Sequence, residues 1–169
     1  YTGEGKSFFA TNLAFTLASS NKKVALVDFD LRRPTIHKKL NYDNTLPGVT
    51  EYLTGKENLD TIINHSDYKK LDFVFCGKLR PNPNELVISE ETNKLYNQLR
   101  DRYDYIVIDT PPICIVSDVN HLLKLSDIAI FVVRQNFTSI HGFEQAITDA
   151  IKRFPGKITT ILNDYRYAK

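Results

Sequence analysis

The sequence has few of the residues that mark a secreted or membrane-spanning protein. Its two cysteines, Cys76 and Cys114, are too few for a disulfide framework and lack metal-ligand spacing. No apolar run approaches the roughly 20 residues of a membrane span, and no charged region precedes an apolar stretch as in a signal peptide. We therefore expect a soluble segment in a reducing cytosol, with both cysteines as small buried residues.

Methionine is absent altogether, so the chain as given cannot begin at its own initiation codon, and we expect it to belong to a longer protein. The chain has no large excess of positive or negative charge. It contains 22 Lys and Arg and 20 Asp and Glu, which give a formal net charge of +2. This balance predicts no nucleic-acid partner, because such a partner favours a strongly basic surface. Hydrophobic residues at 42% and charged residues at 25% are typical of a globular domain with a real core.

Apolar runs alternate along the chain with amphipathic helical stretches, which is typical of a parallel sheet covered by helices. The predicted strands are 23–28, 71–75, 103–109, 127–133 and 157–162. The predicted helices are 6–18, 89–102, 117–125 and 139–154, with Ser117 and Ser139 as candidate N-caps. Residues 33–85 are the least regular, and such excursions usually help to build the site. The sequence predicts one α/β domain over residues 1–169, with a mostly parallel sheet flanked by helices.

A glycine-rich segment near the start of the chain has the pattern of a phosphate-binding loop. Residues 3–7 read Gly3-Glu4-Gly5-Lys6-Ser7 and run directly into a helical stretch. They match the second half of G-x-x-x-x-G-K-[ST], whose first glycine would precede the chain as given. In such a loop backbone N–H groups bind phosphate, Lys6 contacts the β- and γ-phosphates, and the Ser7 hydroxyl ligates Mg²⁺. The pattern predicts ATP and Mg²⁺ as cofactors.

Two apolar strands end in carboxylates. One runs into Asp28 and then Asp30, with Arg32 and Arg33 following. Because side chains alternate along an extended chain, we expect Asp28 and Asp30 to point to the same side. The other strand ends at Asp109 in a Walker B arrangement, where the carboxylate would hold Mg²⁺ directly or through water. A phosphate loop followed by these two strand ends predicts P-loop NTPase architecture.

These motifs resemble those of the bacterial tyrosine kinases of polysaccharide synthesis. The resemblance covers nearly the whole chain and is carried by residues 3–7, 28–34 (similar to the Walker A′ motif of that family), 77–86 with its run Pro81-Asn82-Pro83-Asn84-Glu85-Leu86, and 105–112. It implies an ATP-dependent protein-tyrosine kinase that phosphorylates C-terminal tyrosines between neighbouring subunits. It also implies a membrane-spanning chain-length regulator as partner, fused or separate, at the cytoplasmic face of the bacterial inner membrane.

Chemistry and resemblance together assign roles to single residues. The predicted cofactor-binding residues are Gly3, Glu4, Gly5, Lys6, Ser7, Phe8 and Asn163, and the predicted metal ligands are Ser7, Asp28 and Asp109. Catalysis is assigned to Lys6, Asp28 and Asp30, with Asp28 preferred as base because, by resemblance, it faces the incoming hydroxyl. Asn163 matches the strand-end Asn whose amide could read the adenine edge. Arg32 and Arg33 could contact phosphate or an acidic acceptor segment, or form a solvated pair.

The chain departs from the family pattern at a few positions. Thr2 and Arg80 stand where the family often has proline, and neither change removes a chemical group. The upstream E-x-x-R-x-x-R assembly helix is not in the chain as given, so we expect a homo-oligomer to form through segments outside it. The tyrosine cluster is represented by Tyr165 and Tyr167, which are either acceptors or packing residues.

Three other functions compete with the kinase. A partition or septum-site ATPase of the same superfamily switches dimerisation or membrane association by ATP hydrolysis, but it places a signature Lys where this chain has Tyr1. A GTPase would have an N-K-x-D motif, which residues 161–164 do not supply. A degenerate nucleotide-binding regulator is less consistent with the intact Lys6, Ser7, Asp28 and Asp109.

Overall fold

The structure, a computed structural model, describes residues 2–112 and 119–166. Its helices are α1 Lys6–Ser19, α2 Ile36–Lys39, α3 Val49–Leu53, α4 Leu59–Ile62, α5 Pro83–Val87, α6 Glu90–Arg100, α7 Val119–Leu125 and α8 Ile140–Arg153. Its strands are β1 Val24–Asp28, β2 Ile63–His65, β3 Leu71–Val74, β4 Tyr105–Asp109, β5 Ala129–Arg134 and β6 Ile158–Asn163. The chain divides into a larger unit, Ser7–Pro111, and a smaller unit, Tyr1–Lys6 with Pro112–Lys169. The single domain expected over residues 1–169 stays a prediction.

The larger unit is built on a four-stranded sheet in the order β2-β3-β1-β4. Strand β1 pairs in parallel with β3 and with β4, whereas β2 pairs antiparallel with β3 at the edge. All five residues of β1 are buried. A central strand covered on both faces has apolar side chains on both faces, which is why the run Val-Ala-Leu-Val shows no polar alternation.

The core of the larger unit lies against helix α1. Ala10, Ala14 and Ala18 are spaced four residues apart, so they share one face of the helix. This face joins Leu26 of β1 and Phe73 of β3 in one cluster of buried residues. The buried residues of α1 are thus small side chains on the face that packs against the sheet.

The smaller unit contains the parallel pair β5 and β6. The register runs from Ala129 opposite Ile158 to Arg134 opposite Asn163, so both strands end at the same level. Val119 and Leu123 of α7 form a small buried cluster in this unit. Helix α8 begins after Ser139, whose side chain accepts from the N–H of Gly142 at 3.4 Å, as the predicted N-cap requires.

The predicted strands and long helices are confirmed, and their described ends differ by at most two residues. Strand β2 and the four short helices within residues 33–87 were not predicted, because three to five residues are too few to show a periodicity. Ser117 and Cys114 lie outside the described residues, and Cys76 is buried as expected. Over the described ranges, no helix has both the length and the apolarity that crossing a membrane requires.

Candidate functional site

The two Walker-type carboxylates of the larger unit lie side by side. Asp28 of β1 is opposite Asp109 of β4 in the parallel register, and the N–H of Phe29 donates to the backbone oxygen of Asp109 at 2.8 Å. Asp28 is 0% exposed and Asp109 3% exposed. Because the carboxyl ends of parallel strands meet at one edge of a sheet, two apolar strands bring two buried carboxylates together there.

Burial and charge repulsion act together on Asp28. Burial, followed by the proximity of Asp109, raises the pKa of the Asp28 carboxyl from 3.8 to about 7. Two backbone N–H groups act in the opposite direction: that of Ile36 donates to Oδ2 at 3.2 Å and that of Asp30 donates to Oδ1 at 3.3 Å. In the metal-free chain, Asp28 therefore holds a proton more tightly than an ordinary carboxyl does.

Asp30 does not continue the strand. Strand β1 ends at Asp28, and the Asp30 carboxylate Oδ1 accepts from the backbone N–H groups of Arg32 at 3.2 Å and Arg33 at 3.0 Å. The end of β1 at Asp28 agrees with the predicted strand, and the expectation that Asp28 and Asp30 point to the same side stays a prediction. The short Asp30 side chain bonds to nearby backbone donors and stabilises a turn there. A catalytic role for Asp30 stays a prediction.

The turn after β1 is tied to the segment that carries the Pro-Asn-Pro-Asn-Glu-Leu run. The Arg32 guanidinium donates through Nη2 to Oδ1 of Asn84 on α5. Two segments that resemble the same family are thus in contact although 52 residues separate them. The Arg33 side chain is exposed. Contact of either arginine with phosphate stays a prediction.

In the smaller unit, the glycines of the loop adopt conformations that other residues avoid. Gly3 has φ +91° and Gly5 has φ +97°, both in the left-handed region that favours glycine. A Cβ atom on Gly5 would also overlap Nδ2 of Asn163. The glycine pattern of residues 3–7 is therefore required by the backbone path as well as by the space around it.

Glu4 is the side chain around which this loop is organised. It is 5% exposed, its Oε1 accepts from the Thr138 hydroxyl at 2.8 Å, and its Oε2 lies 3.4 Å from the Lys6 ammonium. The Asn163 amide Nδ2 donates to the Glu4 backbone oxygen at 2.9 Å. Asn163 thus contacts the loop, and its reading of an adenine edge stays a prediction.

A second contact to the loop comes from Arg134, which sequence reasoning missed together with Thr138. Its Nη1 donates to the backbone oxygen of Gly3 at 3.1 Å, and the same guanidinium pairs with Asp164. One signal was available: Arg134 and Asn163 both end parallel strands, and strand ends collect site residues. The contact of Arg134 with the loop could not be predicted, because it depends on the register of β5 with β6, which the sequence does not specify.

Four further candidate residues are Ser7, Phe8, Tyr165 and Tyr167. Ser7 is the second residue of α1, directly after Lys6. Phe8 is 61% exposed and Tyr165 is 55% exposed. Tyr167 lies outside the described residues. Their roles in cofactor binding, metal binding or phosphate acceptance stay predictions.

The residues present fit a magnesium nucleotide. Mg²⁺ prefers oxygen ligands and is usually held by one or two carboxylates, with water and substrate phosphates completing the shell. The buried pair Asp28 and Asp109, whose mutual repulsion helps to raise a pKa, is a donor set that a divalent cation would neutralise. Within residues 2–112 and 119–166 no cluster of three or more His, Cys, Asp and Glu is found.

Comparison with known proteins agrees with this chemistry. The family described as AAA domain matches residues 2–163. Tyrosine-protein kinase ptk of Acinetobacter johnsonii is 38% identical over 149 residues, which are 84% of this chain and 20% of that protein. Tyrosine-protein kinase CpsD of Streptococcus agalactiae is 36% identical over 96% of this chain and 71% of its own length. The crystal structure of the VpsO kinase domain has a TM-score of 0.92 at 35% identity, covering 98% of this chain and 81% of that one.

The fold extends beyond kinases. The septum site-determining protein MinD of Pyrococcus horikoshii, complexed with Mg-ADP, has a TM-score of 0.81 at 20% identity, over 100% of this chain and 69% of that one. At that identity only the P-loop fold is shared. The chain spans 20% of ptk and 57% of tyrosine-protein kinase YwqD of Bacillus subtilis. With a matching family over residues 2–163 and the coverage of CpsD, the chain belongs to the AAA domain family, within the bacterial tyrosine-protein kinases.

Proposed function

We propose that this chain is the catalytic part of an ATP-dependent protein-tyrosine kinase. The observation that carries the proposal is the buried, in-register pair of Asp28 and Asp109, with the Asp28 pKa raised to about 7. A tyrosine hydroxyl attacks the γ-phosphorus, ADP leaves, and the hydroxyl proton needs an acceptor. A carboxylate placed beside the reacting hydroxyl can accept that proton.

The residues of the chain divide the work of binding and transfer. Backbone N–H groups of the loop around Gly3 and Gly5 bind phosphate oxygens, and the Lys6 ammonium adds a point charge. Ser7, Asp28 and Asp109 are the protein ligands that would hold Mg²⁺. When bound, the ion offsets negative charge on the phosphates. Asp28 in addition orients the tyrosine hydroxyl and takes its proton.

The proposal extends to the acceptor and the cellular setting that the family resemblance implies. We propose that Tyr165 and Tyr167 begin the acceptor segment and that transfer occurs between neighbouring subunits. The proposed partner is a membrane-spanning regulator of polysaccharide chain length, fused or separate, with this chain at the cytoplasmic face of the inner membrane. Exposure of Tyr165 supports the acceptor role, because a modifying site must reach the hydroxyl.

Incubation with Mg²⁺ and ATP, followed by intact mass measurement and phosphotyrosine detection, tests the activity. Lys6→Met removes the loop ammonium, and we expect it to abolish covalent phosphate. Lys39→Met is the matched control, because Lys39 is an exposed lysine on α2, and it should retain the parental level. Phosphotyrosine at the parental level in Lys6→Met would contradict the assignment of the phosphate site.

A MinD-like ATPase is the second candidate, and the TM-score of 0.81 to MinD supports it at the level of fold. The same incubation separates the two functions. Release of inorganic phosphate without covalent phosphate indicates an ATPase, whereas binding of ATP with neither product indicates a regulator without turnover. Phosphotyrosine on the chain supports the kinase.

Transfer between subunits is tested by mixing two forms of the full-length protein. A Lys6→Met protein keeps both tyrosines, and an active protein carries Tyr165→Phe and Tyr167→Phe. Assembly gives an acceptor on a neighbour a high effective concentration, so we expect phosphate on the inactive protein and a loss of transfer on dilution. Peptide mapping that finds phosphate on neither terminal tyrosine would contradict the proposed acceptors.

A further inference from the structure

Two backbone carbonyl groups of the phosphate loop each accept a hydrogen bond from a side chain at the end of β5 or β6. Arg134 donates through Nη1 to the Gly3 oxygen at 3.1 Å, and Asn163 donates to the Glu4 oxygen at 2.9 Å. A peptide group is planar and trans, so its C=O and the N–H of the following residue point in opposite directions. Holding the Gly3 oxygen therefore fixes the direction of the Glu4 N–H, and holding the Glu4 oxygen fixes that of the Gly5 N–H.

The guanidinium of Arg134 is itself held in place by two groups. Its Nε and Nη2 donate to Oδ2 of Asp164 at 3.2 Å and 3.1 Å, and its carbon Cζ lies 5.2 Å from the centroid of the Phe137 ring. The hydrogen bond from Arg134 is the largest cause that lowers the pKa of the Asp164 carboxyl, which keeps it ionised as a partner. The planar guanidinium holds its donors in a fixed arrangement, so that one edge faces the Asp164 carboxylate while Nη1 faces the Gly3 carbonyl.

The backbone of Arg134 is tied to the same loop by a second route. Its N–H donates to the Thr138 hydroxyl at 2.9 Å, and that hydroxyl donates to the buried Glu4 carboxylate at 2.8 Å. The Phe137 ring lies against Gly3, since a Cβ there would be 3.3 Å from Phe137 Cζ. The turn 134–138 thus contacts two successive loop residues through polar and apolar groups.

We propose that Arg134, held by Asp164, is a positioning residue that orients the loop N–H groups toward the nucleotide phosphates. It contacts the Gly3 carbonyl, so it acts through the backbone of the loop. The proposal rests on the proposed ATP site and predicts that loss of Arg134 weakens nucleotide binding while the chemical step continues. Pre-oriented donors contribute to binding because the ligand does not have to order them.

Arg134→Gln, Asp164→Asn and the double variant test this in the full-length protein. We expect the KM for ATP to rise about 10-fold in Arg134→Gln, the size of one lost charge-assisted hydrogen bond, with kcat within about 2-fold of the parent. Asp164→Asn should also raise the KM for ATP. The double variant should have a KM no higher than that of Arg134→Gln, because both substitutions act through the same contact of Arg134 with Gly3. Arg102→Gln, which breaks the exposed ion pair with Asp60, is the matched control and should change neither constant.

A second readout needs no nucleotide. Hydrogen exchange of the peptide containing residues 3–6, measured without ATP, should be about 3-fold faster or more in Arg134→Gln and unchanged in Arg102→Gln. Unchanged exchange overturns the proposal, and so does faster exchange with an unchanged KM. If the parent binds no ATP, the proposed function fails, while exchange of the loop still decides whether Arg134 orders it. Equal falls in kcat and stability would indicate a purely structural role and also overturn the proposal.

Discussion

Replacing Asp28 with Asn should make the nucleotide-free, metal-free protein more stable at pH 8. The parent must keep a carboxylate ionised at a position that is 0% exposed and next to Asp109. The pKa of Asp28 is about 7 in the folded chain against an ordinary 3.8. At 1.36 kcal/mol for each pH unit, this difference corresponds to about 4 kcal/mol of stability lost as the group ionises in the fold.

The sign follows from proton binding. Since the folded chain holds the Asp28 proton more tightly than the unfolded chain, the contribution to stability is fully present below pH 3.8 and is lost as the pH rises toward 7. The substituted amide would not titrate. Its NH₂ group would face one of the two backbone N–H groups that donate to Asp28, which would lower the free energy of unfolding by about 1–3 kcal/mol. A net gain of about 2 kcal/mol is therefore expected at pH 8, and none at pH 5.

Thermal unfolding in EDTA at pH 5 and pH 8 measures the effect. A gain of about 2 kcal/mol corresponds to a rise in Tm of about 4–8 °C for a chain of this size. Asp67→Asn, at an exposed residue, is the control and should shift Tm by the same small amount at both pH values. A difference between Asp28→Asn and the parent that does not change with pH would refute the reasoning, because it would show that Asp28 does not titrate in this range.

Three further substitutions test the loop and the core. Gly5→Ala places a Cβ against Asn163 Nδ2 at φ +97°, so ATP binding measured by titration should be lost, with about 1–3 kcal/mol of strain. Thr138→Val keeps the side-chain shape and removes the donor to buried Glu4, so urea unfolding should show a loss of about 1–3 kcal/mol. Leu26→Ala opens a cavity at a fully buried position of β1 and should lower the free energy of unfolding by about 2–5 kcal/mol. A loss below about 1 kcal/mol at Leu26 would contradict its place in the core.

The central strand of the larger unit could be predicted because its burial appears in the sequence. Residues 24–27 are apolar without alternation, and β1 lies between β3 and β4 with all its residues buried. Strand β2 could not be predicted in the same way. It has three residues, is partly exposed, and is held by antiparallel pairing with β3. Its formation depends on a neighbour, which a local pattern does not record.

The candidate site shows the same division. Asp28 and Asp109 follow apolar runs, so the meeting of parallel strand ends predicts their proximity. Arg134 could not be assigned, because its contact with Gly3 spans 131 residues and depends on the register of β5 with β6. Asp30 lies beyond the end of β1, and its hydrogen bonds to the backbone N–H groups of Arg32 and Arg33 do not follow from alternation along a strand. Patterns thus predict the carboxylates that end apolar strands, and they miss a contact that depends on the register of one strand pair.

The buried carboxylate of Asp28 reduces the stability of the fold, and this cost bears on its function. An Asn of the same shape would avoid the cost of a buried charge beside Asp109, so packing alone does not favour a carboxylate here. Residues that reduce stability are retained where a site needs their chemistry. The chemistry available to Asp28 and absent from Asn is negative charge for a divalent cation and a lone pair for a proton. The stability lost to this carboxylate therefore supports its place in the proposed phosphoryl-transfer site.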